Sequence, residues 1–233
     1  MTEHHGYSVT ADIVYQDHHL VVVNKPVNVP VQTARPDEPT LLSHVEEYLR
    51  AAGEKYPFIN VVHRIDRPVS GLVIFARSRQ ALVNLNQAFR DRQVRRVYWA
   101  VVGSRPGNDQ GHLMHYLVFN PQKNKSYVFD HEMRGSRPAE MKYRMVAQSE
   151  RYFLLEIELI TGRHHQIRSQ LSKIGCPVRG DLKYGYPRSN PGGGICLHAR
   201  SLTLLHPVEG TELTFTADPP VDILWRELQK AFR

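Results

Sequence analysis

The run His63-Arg64-Ile65-Asp66-Arg67-Pro68-Val69-Ser70-Gly71 sets one carboxylate between two arginines. Val61 and Val62 read as a short strand leading into it, and Pro68 and Gly71 break regular structure after it. Asp66 therefore falls on a turn, where a side chain can point into a cleft. A carboxylate can act as a nucleophile in glycosidic chemistry, provided it is ionised, and nearby arginines favour that form. A solvated ion pair with Arg64 or Arg67 would explain the same run more simply.

A second run, Leu159-Ile160-Thr161-Gly162-Arg163-His164-His165-Gln166-Ile167-Arg168, predicts a helix opening at Thr161-Gly162. It would carry Ile167, Leu171 and Ile174 on one face and end at Gly175. Arg168 flanks that apolar stripe. If partly buried it needs an anionic partner, and Asp66 could be that partner. Its stem could equally lie along the core with the head in water. The pair His164-His165 is set aside as a metal site. Neighbouring helix positions do not face one another, and no third ligand stands at a familiar spacing.

A third run, Arg95-Arg96-Val97-Tyr98-Trp99-Ala100, reads as a strand with Arg96 and Tyr98 on one face. An arginine beside an aromatic ring can hold a phosphate and stack a base, or simply form a cross-strand pair. Gly192-Gly193-Gly194 has no phosphate-loop spacing and reads as a flexible loop.

The elements that must position these residues follow from the apolar pattern. Leu20-Val21-Val22-Val23 is a short β-branched run that ends at Asn24-Lys25-Pro26. Asn28 to Pro39 holds three prolines and reads as a loop. Thr40 then caps a helix with Leu41, Leu42, Val45 and Leu49 on one face. Leu72 to Phe75 is another buried strand, and Ser78 caps a helix carrying Leu82, Leu85 and Phe89. Strands follow at Val94–Val102, Leu113–Phe119, Ser126–Phe129, Met141–Ala147 and Phe153–Leu159, then at Cys196–Leu205 and Leu213–Thr216. Val221 to Ala231 is a closing amphipathic helix. Strands in runs with few helices predict an α+β domain around a mixed sheet.

Composition narrows the class. The 233 residues carry 30 Lys and Arg against 23 Asp and Glu, a net charge of +7 that favours polyanions. No stretch approaches the roughly 20 apolar residues of a membrane helix. Met1-Thr2-Glu3-His4-His5 lacks the apolar centre of a signal peptide. Two cysteines, Cys176 and Cys196, make no disulfide framework. Together these predict a cytoplasmic protein; the charge fits a nucleic-acid partner and a generic basic protein equally well.

The sequence resembles the RluA-type family of RNA pseudouridine synthases. Val22-Val23-Asn24-Lys25-Pro26 is similar to the family's "vvnKP" opening, and His63 to Gly71 to "HRLD-x-x-TSG". Arg96-Val97-Tyr98 stands where the family has "K-x-Y". Thr161-Gly162-Arg163 with His165-Gln166-Ile167-Arg168 resembles "TGR-x-HQIR". Gly180-Asp181 with Tyr184-Gly185 resembles "GD-x-x-YG", and Leu197-His198-Ala199 with His206-Pro207 resembles "LHA…HP". The matches fall in order from about Val21 to Pro207. Ile65, Val69, Arg96 and Gln170 depart from the family's usual Leu, Thr, Lys and His.

The resemblance implies that Asp66 is the catalytic aspartate, that Tyr98 lies against the target base and assists removal of its C5 proton, and that Arg168 pairs with Asp66. It implies that Arg64 holds RNA with the base extruded. Lys25, His63 and Arg96 are expected to contact substrate, as are Arg163, His165, Gln166 and Ile167. The implied fold is one catalytic domain, core about 12–218, with a long, mainly antiparallel mixed sheet, a central cleft and flanking helices. No S4-type RNA-binding domain is expected, since about 20 residues precede the first motif. The implied reaction converts uridine in tRNA or rRNA to pseudouridine with no cofactor and no metal, and a monomer is expected. A catalytically inactive RNA-binding or ribosome-assembly factor on the same fold is the competing reading. A glycoside hydrolase would need a second acid, and neither motif supplies one beside Asp66.

Overall fold

The computed structural model describes residues 9–35 and 37–232; His4, His5 and the rest of the amino-terminal segment lie outside the described residues. The strands are β1 (Ile13–Gln16), β2 (Leu20–Lys25), β3 (Asn60–Val61), β4 (Ser70–Ala76), β5 (Arg95–Val102) and β6 (Gln110–Asn120). They continue as β7 (Lys125–Phe129), β8 (Arg137–Gln148), β9 (Phe153–Leu159), β10 (Leu197–Leu205) and β11 (Glu212–Thr216). Among the described residues they form one 11-stranded sheet in the order β1-β2-β4-β10-β5-β9-β8-β6-β7, with β11 on β10 and β3 on β4. Every strand pair is antiparallel except β10 with β4, which run parallel through His198 opposite Ser70 and Ala199 opposite Gly71.

The helices are α1 (Leu41–Ala51), α2 (Arg79–Arg90), α3 (Gln166–Lys173) and α4 (Ile223–Phe232). The apolar runs of β2 and β4 are continuous because both faces of the sheet are covered there. Val21, Val23, Val73 and Phe75 pack into one core with α1 and α3, while Leu20, Val22, Leu72 and Ile74 face α2. On β5 the alternation sends Tyr98, Ala100 and Val102 to the α1/α3 side and Trp99 and Val101 to α4. Tyr98 therefore shares a layer with α3.

Two predicted caps are present. Thr40 accepts from the Ser43 backbone N–H in a capping box, and Ser78 accepts from that of Ala81. The predicted start of α3 is corrected: the helix opens at Gln166, not at Thr161-Gly162. His165 sits at φ 53, ψ 26, a left-handed conformation that cannot continue a helix. The Gln166 side chain accepts from Thr161 Oγ1 at 2.8 Å and from the Arg163 N–H at 2.9 Å, holding the preceding turn in a non-helical path. Strand β1, with alternating burial, was not expected from the sequence.

Candidate active site

The centre of the site is a guanidinium between two carboxylates. Arg168, on the first turn of α3, grips Asp181 with Nε (2.7 Å) and Nη2 (2.9 Å) and donates Nη1 to Asp66 Oδ2 at 2.9 Å. The side chains of Arg168 and Asp181 are 5% and 1% exposed, and that of Asp66 is 25% exposed. Burial works against the charge on Arg168, but the hydrogen bond to Asp181 and the charges of Asp66 and Asp181 outweigh it and raise its pKa. The fork is filled on one side by a carboxylate that cannot reach solvent, so its remaining N–H groups are aimed at Asp66.

Among the described residues the second oxygen of Asp66, Oδ1, has no hydrogen-bond partner. On Oδ2, Arg168 is joined by His165 Nε2 at 3.5 Å. The other imidazole nitrogen, Nδ1, lies 3.0 Å from the Tyr184 hydroxyl, and that oxygen accepts the Ser126 backbone N–H at 2.8 Å. Burial, and then Arg168, pulls the His165 pKa down to about 2, so the ring is neutral. A neutral ring with Tyr184 donating to Nδ1 carries its hydrogen on Nε2, facing Asp66. The Tyr184 ring also lies under the Arg168 guanidinium, 5.1 Å from its centroid.

Tyr98 reaches the same centre from β5. Among the described residues its phenol has no hydrogen-bond partner, and burial raises its pKa, opposed by Arg96 and helped by the charge of Asp66. Arg64 is exposed and, among the described residues, forms no ion pair. Asp66, Tyr98 and Arg168 thus converge, with Arg64 at the rim.

The other expected substrate contacts are engaged within the protein. Lys25 is fully buried; its ammonium donates to the carbonyls of Pro26 (2.8 Å), Val29 (2.8 Å) and Arg67 (3.2 Å). Contact with RNA is closed to it. Instead it ties the Pro26–Val29 loop to the turn that carries Asp66, and burial pulls its pKa down to about 7. His63 stacks on Phe89 and accepts the Ile74 N–H through Nε2, and burial lowers its pKa to about 3. Gln166 and Ile167 are buried, the first in the turn described above and the second in the core. His165 faces Asp66 from a buried position. Arg96 lies over Phe89 and donates to the carbonyls of Leu159 and Ile160, while its Nε is buried without a partner. Arg163 donates to the Pro138 carbonyl beside Arg137 and Arg92.

Sequence reasoning missed Asp181, Tyr184 and Ser126. The first two lie in the "GD-x-x-YG" motif, which was the available signal. The adjacent histidines are not the neighbouring helix positions expected from the sequence: because His165 is left-handed and precedes the helix, the His164 and His165 rings stack with centroids 3.7 Å apart. A second carboxylate does stand near Asp66, yet Asp181 is buried and doubly bound to Arg168, which removes it as a catalytic acid.

The mixed sheet carries a carboxylate braced by Arg168 and the buried phenol of Tyr98, and comparison with known proteins gives the class of domain. A family model described as RNA pseudouridylate synthase matches residues 19–173. The chain belongs to that family, whose members are isomerases. It is 32% identical over 214 residues to the dual-specificity RNA pseudouridine synthase RluA of Haemophilus influenzae, covering 88% of this chain and 92% of that one. It is 32% identical over 229 residues to ribosomal large subunit pseudouridine synthase D of Zymomonas mobilis, covering 92% and 71%. Human RNA Pseudouridylate Synthase Domain Containing 4 shares the fold, with a TM-score of 0.75, 24% identity and coverage of 96% and 94%. No finding favours the inactive factor.

Proposed function

We propose that this chain converts specific uridines of tRNA or rRNA to pseudouridine at Asp66, as one catalytic domain acting alone, as a monomer and without cofactor or metal. The observation that carries the reading is the 2.9 Å pair between Asp66 Oδ2 and an Arg168 already anchored by Asp181. With Oδ2 held, Oδ1 is the reacting oxygen. It can attack C1′, add to C6 of the ring, or take the 2′ proton once the glycosidic bond has broken. Any of these needs the target nucleotide out of its stack. Exposed Arg64 meets the backbone at the rim. The raised pKa of Tyr98 keeps its phenol protonated, which favours packing against the extruded base over abstraction of the C5 proton. The RNA substrate and two unpaired cysteines, Cys176 and Cys196, favour a cytoplasmic setting. Among the described residues no helix is long and apolar enough to cross a membrane.

The test is Asp66→Asn. It is expected to abolish pseudouridine formation in total RNA from a strain lacking the gene, while RNA binding stays within a few-fold of wild type. Pseudouridine made at the normal rate by that variant overturns the assignment.

A further inference from the structure

Three rings lead outward from Asp66. His165 lies against the carboxylate, His164 stacks on His165 at 3.7 Å and 30°, and Phe119 lies against His164 at 4.1 Å and 49°. The inner ring is buried, the middle one half-buried, and Phe119 is 45% exposed. We propose that Phe119, backed by the His164 ring, offers a stacking shelf for an unpaired nucleobase next to the target uridine in the RNA strand. The proposal rests on the reading of Asp66 as the centre of RNA modification.

The shelf is built rather than incidental. Phe119 stands near the end of β6, opposite Ser126 on β7. Ser126 Oγ donates to the His164 carbonyl at 2.6 Å and lies 3.2 Å from His164 Nδ1, so the hairpin is tied to the turn that carries the imidazole. Burial lowers the pKa of His164; Asp66 opposes this, and Arg168, Lys183 and Arg64 reinforce it, leaving a neutral ring. The charges facing that ring are thus Asp66, Arg64, Arg168 and Lys183, three of them cations, with Lys125 nearby over the Tyr184 ring. The exposed Phe119 ring, backed by a neutral imidazole and framed by cations, suits a nucleotide: the base has a π-face, and its phosphate meets Arg64 or Lys183. Every base has such a face, so the shelf tolerates sequence. Its position beside His165 fixes the occupant as a neighbour of the nucleotide at Asp66.

The test uses an RNA hairpin whose loop is all uridine except for one 2-aminopurine, titrated into the Asp66→Asn protein so that no turnover occurs. Stacking quenches the fluorescence of that base. The parent is expected to quench it on binding. Phe119→Ala is expected to bind about tenfold more weakly and to lose the quenching. Phe119→Tyr should retain both, while Phe119→Leu, apolar but without a π-face, should lose the quenching. Thermal melts establish that each variant is folded. Absence of quenching by the parent, or equal binding and quenching by Phe119→Ala or Phe119→Leu, overturns the shelf. The underlying reading fails separately, if wild-type protein makes no pseudouridine in total RNA.

Discussion

Removing the guanidinium of Arg168 should cost more stability than neutralising Asp66. In Arg168→Met, the Asp181 carboxylate, 1% exposed, loses two hydrogen bonds and its counter-charge together. Stranding a buried charge in this way costs about 3–5 kcal/mol. Asp66 loses the same partner but is 25% exposed, so water replaces much of the interaction. Asp66→Asn should therefore change stability by less than about 1 kcal/mol. For a chain of this size about 4 kcal/mol corresponds to roughly 8–16 °C in Tm. The decisive variant is the double one. Arg168→Met with Asp181→Leu replaces the buried pair by apolar groups and should recover at least about 2 kcal/mol over Arg168→Met alone. It should remain inactive, because Asp66 still lacks its brace. Urea unfolding followed by circular dichroism, with pseudouridine formation assayed on the same samples, checks both halves. A double variant less stable than Arg168→Met would refute the account of Asp181 as the buried anchor.

Tyr184→Phe removes the hydroxyl that orients His165 and leaves the Ser126 N–H unsatisfied; about 1–3 kcal/mol of stability and most of kcat should be lost, with KM little changed. Stability should fall steeply in acid. His63, His165 and His198 have folded pKa values near 3, 2 and 4, below the ordinary value, so the unfolded chain takes up protons that the folded one refuses. Each loses about 1.4 kcal/mol per pH unit as pH drops through 6.5 toward 4, together about 4 kcal/mol per unit; denaturation midpoints at pH 7, 6 and 5 test this, and a flat profile would contradict it. Gly71→Ala should destabilise by about 4 kcal/mol or prevent folding. Gly71 has φ +112, and a Cβ there would overlap the backbone of Ala199, whose strand runs parallel beside it. An unchanged melting temperature would count against that close approach.

The sequence carried the strands of the centre because both faces of β2 and β4 are covered and their runs are unbroken apolar. It carried the caps at Thr40 and Ser78 because those hydroxyls bond locally. The Asp66–Arg168 pair followed from resemblance and from the expectation that a half-buried arginine finds an anion. Asp181 stood in a recognised motif, but its role as the buried anchor of Arg168 was not legible, since an aspartate after a glycine reads like any loop residue until the fold buries it. His165 was misread because nothing local marks a non-glycine residue as left-handed, and that one dihedral moved the helix start and turned two imidazoles face to face. Lys25 was misassigned because a sequence displays a charge but not the three carbonyls that absorb it. β1 was missed because four residues of alternating exposure carry too short a pattern.

The hydrogen bond from Arg168 to Asp66 joins residues 102 apart in the chain, and the anchor Asp181 lies 13 further on. A growing polypeptide thus makes its reactive carboxylate early and cannot arm it until the last third has been synthesised. Neither half expressed by itself could modify RNA, but the two co-expressed could regain activity by meeting along β4, β10 and α3.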